Sequence, residues 1–163
     1  MTIYSLYVFN RKCLCVHYHS FNRSKSSNLT FQQEFKLVFG LLHSLRGISR
    51  KLGPSFANGD NFNSYSTNSY KMTLYELPTS LKFILLTDKN ESTDQVKNCL
   101  KEFYINIFVQ NVVRSPNWLE ILNLEDEKQS SEKQKQNSNA YKSYFPERSI
   151  EEINKYFRAL PFY

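Results

Sequence analysis

The sequence predicts an α/β (α+β) protein in which one mixed sheet of five strands carries helices on both faces. Three observations predict this fold class: short apolar runs with period-two alternation, two long amphipathic helical segments, and turn residues between them that give the order ββα, βββ, α, α. A chain of 163 residues, 40% of them apolar, is long enough to bury one substantial core. We therefore expect a single globular domain.

Two N-terminal strands are predicted at Ile3–Phe9 and Cys13–His19, joined by a short hairpin connection at residues 10–12. The first strand is apolar on both of its faces. One face carries Ile3, Tyr7 and Phe9, and the other carries Tyr4, Leu6 and Val8. Such a strand is typical of the centre of a sheet that is covered on both sides.

A long helix is predicted from Thr30, its N-cap, to the Gly53-Pro54 pair that ends it. Its apolar side chains cover an arc of about 200°, whereas a helix with one packed face needs little more than about 100°. One stripe comprises Phe31, Phe35, Val38, Leu42 and Leu45, and an adjoining stripe comprises Leu37, Leu41, Ile48 and Leu52. Either the helix is deeply buried in its own domain, or one stripe packs on the sheet and the other on a partner subunit. The small size of the domain favours the second explanation.

Gly40 and Gly47 lie on the remaining side of this helix, one heptad apart. Because glycine has no side chain, the pair leaves a low patch where another molecule can approach closely. The alternative is that each glycine only lowers the helix stability, by about 1 kcal/mol. The sequence leaves both explanations open.

Three further strands and a second long helix follow. The strands are predicted at residues 62–67, 70–76 and 81–87. The helix begins near Ser92, which forms a capping box with Gln95, and ends at residues 114–116. Its core stripe is Val96, Cys99, Leu100, Phe103 and Ile107, and the apolar surface then widens through Tyr104, Phe108, Val109, Val112 and Val113. The widening predicts that more than one neighbour covers the end of this helix.

The composition changes at residues 123–147, which are charged, rich in Ser, Gln and Asn, and free of apolar periodicity. We expect a solvated or disordered insertion there. A final helix at residues 149–160 begins with Ser149 and Glu152 in capping-box register. The predicted organisation is a domain body at residues 1–122, the insertion at 123–147, and a C-terminal helix and tail at 148–163 that complete the same domain.

The stretch "CLCVHYH", residues 13–19, contains four side chains of the types that bind zinc. Its alternation predicts a strand, on which the first and last of these residues lie roughly 20 Å apart and no ion touches more than neighbouring pairs. We therefore interpret the stretch as structural and predict no metal site. A Cys15–His17 nucleophile pair is the catalytic alternative, but nothing in the sequence orients the histidine as a base. No glycine-rich phosphate loop is present, so we predict no catalytic residue and no cofactor.

Positive charge is concentrated in residues 1–52, which carry eight Lys or Arg against one Glu within a net charge of +6. A basic segment can face nucleic acid or an anionic membrane. The charges are scattered over strands, loop and helix without a nucleic-acid motif, so we predict a solvated surface and no nucleic-acid partner. We predict a cytoplasmic protein for three reasons: its three cysteines lack the spacing of a disulfide framework, its N-terminus is a poor signal peptide, and it has no apolar span of about 18 residues. Peripheral apposition to a membrane is the minor alternative.

Five stretches of the chain together resemble one known family. They are "MTIYSLYVFNRKCLCVHYH", "EFKLVFGLLHSLRGISRKL", "SYKMTLYELPTSLKFILLTD", "FYINIFVQNVVRSP" and "FRALPFY". These motifs and the order of elements are similar to the subunit 1 family of the transport protein particle (TRAPP) complex, through most of residues 1–118 and again at 149–163. The resemblance implies the longin/SNARE-like fold: a five-stranded mixed antiparallel sheet with one long helix on one face and two helices on the other.

The resemblance also implies a function, that of a core scaffold subunit of a vesicle-tethering complex acting in transport between the endoplasmic reticulum and the Golgi apparatus. The expected partners are other small TRAPP core subunits, including a related longin subunit, and a Rab-type GTPase that undergoes nucleotide exchange on the assembled complex. The expected location is cytoplasmic and peripheral at cis-Golgi and endoplasmic reticulum membranes. The alternative is a small longin-type adaptor subunit of a vesicle coat.

The two overly wide apolar helices supply the candidate partner interface. Its predicted residues are Leu37, Leu41, Ile48 and Leu52 on the first helix, with Tyr104, Phe108 and Val112 on the second. By contrast, Phe35, Val38 and Leu42 are expected to pack on the sheet.

Overall fold

The computed structural model describes residues 2–22, 29–52, 62–123 and 143–160. Within them, five strands form one sheet and helices cover both of its faces, which confirms the predicted fold class. The strands are β1 (Ile3–Phe9), β2 (Cys15–Ser20), β3 (Ser64–Ser66), β4 (Lys71–Glu76) and β5 (Lys82–Thr87). Their order across the sheet is β2-β1-β5-β4-β3, and all four pairings are antiparallel, so the sheet is not mixed as predicted.

Four α-helices pack on this sheet in the described part of the chain: α1 (Phe31–Leu52), α2 (Thr93–Phe103), α3 (Trp118–Asn123) and α4 (Glu147–Ala159). α2 continues directly into a π-helical segment, Tyr104–Val113, and the two together form the second long helix of the prediction. α3 has no predicted counterpart, because six residues are too few to show helical periodicity. None of the described helices combines the length and the apolarity needed to cross a membrane.

The sheet separates two apolar cores. The smaller core lies under α1 and contains Tyr7, Phe9, Cys15, Phe35, Leu42, Met72, Leu74 and Ile84. The larger core lies on the opposite face, where Phe83 of β5 meets Phe108 of the π segment edge-to-face, with ring centroids 5.0 Å apart. Of the described helices, α1 covers one face, while α2, the π segment, α3 and α4 share the other.

A bulge near the start of β1 corrects one detail of the predicted strand faces. The pairing of β1 with β5 shifts between Ile3 and Ser5, which leaves Tyr4 as the extra residue. A shift of one residue reverses the alternation of side chains. Ile3 consequently lies in the larger core with Leu6, and not on the α1 face with Tyr7.

α4 begins two residues earlier than the predicted helix. Pro146 occupies the N-cap position and Glu147 the first helical position. Ser149 does not cap the helix, because it is buried and its hydroxyl donates a hydrogen bond to the carbonyl of Asn111 at 2.8 Å. That bond fastens α4 to the π segment.

The folded domain also includes the residues just before α4. Phe145 is buried in the larger core, and the backbone N–H of Tyr144 donates to the carbonyl of Val16 at 3.1 Å. Residues 143–147 therefore belong to the domain and not to the predicted polar insertion. Residues 124–142 of that insertion lie outside the described residues.

Candidate protein-interaction surface

α1 packs on the sheet with one side and exposes the other. Phe35 and Leu42 are buried and Val38 is half-buried, which confirms the prediction for these three residues. On the outer side, Leu37, Leu41, Ile48 and Leu52 keep 60%, 37%, 53% and 80% of their surface exposed. An interface requires such exposure. The covering of this stripe by a partner stays a prediction.

The start of α1 is held by a reciprocal pair of hydrogen bonds. The N–H of Gln33 donates to Oγ1 of Thr30 at 3.4 Å, and the N–H of Thr30 donates to Oε1 of Gln33 at 3.1 Å. Thr30 is therefore the N-cap, as predicted, whereas the predicted stop at residues 53–54 lies outside the described residues. The hydroxyl of Tyr7 also donates to Glu34 at 2.9 Å, and burial raises the pKa of Tyr7, so that the phenol stays a donor. These contacts fix which side of α1 faces the sheet.

A gap in the side-chain cover lies beside the exposed stripe. A Cβ atom added at Gly40 or at Gly47 would meet nothing within 4 Å, so both glycines face open space. A depression of about 180 Å³ lies next to the second of them, between α1 and β5. It is lined by Phe39, Leu42, His43, Arg46, Gly47, Arg50 and Lys82. Gly47 therefore borders a low patch, whereas Gly40 is not among the residues that line it.

Basic side chains line part of this depression. Nη1 of Arg46 lies 2.8 Å from one carboxylate oxygen of Glu76, and Nζ of Lys82 lies 3.3 Å from the other. Nζ of Lys82 also donates to the carbonyl of Ser80 at 3.1 Å. One carboxylate thus contacts two cations, while Arg50 adds a third at the rim. The carboxylate of Glu76 therefore links α1 to β5 beside this depression.

The interface predicted on the second long helix is wrong for two of its three residues. Phe108 and Val112 are 0% exposed, so neither side chain can touch a partner. Later parts of the same chain provide the cover: the ring of Phe108 lies 5.5 Å from those of both Trp118 and Phe145. Tyr104 is half-buried and stacks on Phe108 at 6.0 Å. The wide apolar surface of this helix reflects packing within the chain.

Residues that line the depression but are absent from the predicted interface include Phe39, Arg46 and Lys82. Phe39 and Arg46 lie on the margin between sheet and solvent, a heptad apart, and a helical wheel that includes both margins would have found them. Lys82 lies directly opposite Glu76 in the antiparallel pairing of β4 and β5. The hairpin register would have predicted this ion pair, but not that α1 crosses beside it.

The Cys/His alternation does not form the single row of side chains that an ideal strand predicts. A register shift in the pairing of β1 with β2 places Cys15 in the core under α1, whereas the ring of His17 stacks on Phe145 on the other face at 4.8 Å. Cys13 precedes β2 in an exposed turn, with a φ of 64°. Within the described ranges, no group of three or more His, Cys, Asp or Glu side chains is arranged to hold a metal ion.

His17 is held as a neutral structural side chain. It is 1% exposed, its Nδ1 lies 2.8 Å from the hydroxyl of Ser143, and burial lowers the pKa of His17 to about 3. The thiol of Cys15 donates to the backbone carbonyl of His17 at 3.3 Å, not to its ring. This geometry contradicts the Cys15–His17 nucleophile pair on which the enzyme alternative depends.

Known proteins similar to this chain form one consistent group. The model of the Sybindin-like family matches residues 3–140. Trafficking protein particle complex subunit 1 of Rattus norvegicus is 34% identical over 116 residues, which cover 71% of this chain and 78% of the relative. Transport protein particle subunit bet5 of Schizosaccharomyces pombe is 36% identical over 127 residues, covering 71% and 79%. Trafficking protein particle complex subunit 4 of Dictyostelium discoideum is 23% identical over 113 residues, covering 68% and 81%.

Proposed function

Since this chain belongs to the Sybindin-like family, and within it to the subunit 1 family of the trafficking protein particle (TRAPP) complex, we propose that it is a core scaffold subunit of a vesicle-tethering complex in transport between the endoplasmic reticulum and the Golgi apparatus. The chain contributes a binding surface and no catalytic group of its own. Its location is cytoplasmic and peripheral, at cis-Golgi and endoplasmic reticulum membranes.

The observation that carries this proposal is the exposed aliphatic stripe on α1. Burying a Leu or Ile side chain removes apolar surface worth about 1.5–3 kcal/mol from water, so four such side chains on one helix face favour association. Contiguous exposed apolar surface of this kind typically marks a protein interface. A neighbouring small subunit covers the stripe in the assembled complex.

The neighbour is a related longin-type subunit. A protein named subunit 4 of the same complex shares 23% identity with this chain, which supports the presence of two subunits of similar sequence in one assembly. A Rab-type GTPase then binds the assembled core and exchanges its nucleotide there. All the relatives reported above are named as subunits of this particle, which favours a tethering complex over a vesicle-coat adaptor.

Affinity purification of the tagged full chain from its own cells, followed by mass spectrometry, tests the proposal. We expect several small TRAPP subunits in stoichiometric amounts. Recovery of large coat chains would support the adaptor alternative, and recovery of the chain alone would contradict both. Nucleotide exchange on a Rab-type GTPase should then slow when the purified complex is reconstituted without this chain, and an unchanged rate would contradict the proposed part in exchange.

A further inference from the structure

We draw no further inference here: the strongest candidate, the exposed aliphatic stripe of Leu37, Leu41, Ile48 and Leu52 on the outer side of α1, already carries the proposed function, and nothing in the described part of the structure shows what covers it.

Discussion

Leu41 and Leu42 are adjacent on α1 but differ sharply in environment, which makes them a matched pair for testing the interface. Leu41 is 37% exposed and Leu42 is 1% exposed in the core under the helix. The same substitution to Glu at the two positions should therefore act on different equilibria: association for the first, folding for the second.

The expected magnitudes follow from burial. Leu42→Glu loses the packing of a buried Leu, worth about 2–5 kcal/mol when truncated, and also places a carboxylate in an apolar core. A domain of this size has a free energy of unfolding of about 5–15 kcal/mol and loses about 2–4 °C of melting temperature per kcal/mol. We expect the melting temperature to fall by about 10 °C or more, or the protein not to fold. Leu41→Glu is a surface change, with an expected effect on stability within about 0.5 kcal/mol.

Association should show the reverse order. A partner can bury only the 37% of Leu41 that the free chain exposes, so Leu41→Glu removes about 0.6–1.1 kcal/mol of apolar burial from the interface and introduces a charge there. Affinity for companion subunits should therefore fall by at least about threefold to sixfold. Thermal melting by circular dichroism and quantitative co-precipitation, each applied to both variants, measure the two effects. Equal loss of folding in both variants would show that the outer stripe is covered by its own chain, and unchanged co-precipitation of Leu41→Glu would show that α1 is not the interface.

Three other predictions follow from the described contacts. Purified protein should contain no stoichiometric zinc, and the double change Cys13→Ser and Cys15→Ser should release none. If elemental analysis found one equivalent of zinc that the double variant lost, the structural interpretation of this strand would be wrong. Deletion of residues 125–142 should leave the melting temperature and subunit binding nearly unchanged, since this polar stretch has no apolar periodicity. Loss of assembly would show that the segment is an ordered part of the complex. Burial lowers the pKa of His17 from an ordinary 6.5 to about 3, so on acidification the unfolded chain takes up this proton before the folded chain does. The free energy of unfolding should therefore fall as pH falls from about 6.5 toward 3, by up to about 1.4 kcal/mol per pH unit. Urea titrations of His17→Phe should show a shallower fall, and an unchanged slope would mean that other groups cause the pH dependence.

The sequence alone determined the place of each of the five described strands to within two residues, the long helices and the two-sided character of α1. Apolar runs and 3.6-residue patterns are local properties, so the run Ile3–Phe9, apolar on both faces, and the stripe containing Phe35 and Leu42 predict burial without knowledge of their neighbours. The resemblance to a family likewise rests on local motifs. These are also the parts in which the structure and the comparisons agree with the prediction.

Only the tertiary structure decided which apolar surfaces are left over. Phe108 and Leu41 both lie on helices with too wide an apolar arc. Phe108 is covered by Trp118 and Phe145, which come later in the chain, whereas Leu41 stays 37% exposed. A pattern in one segment carries no information about which later segment returns to cover it. The sequence likewise does not predict the bulge that places Cys15 and His17 on opposite faces, or the depression beside Gly47. Both depend on how strands pair and where a helix crosses them.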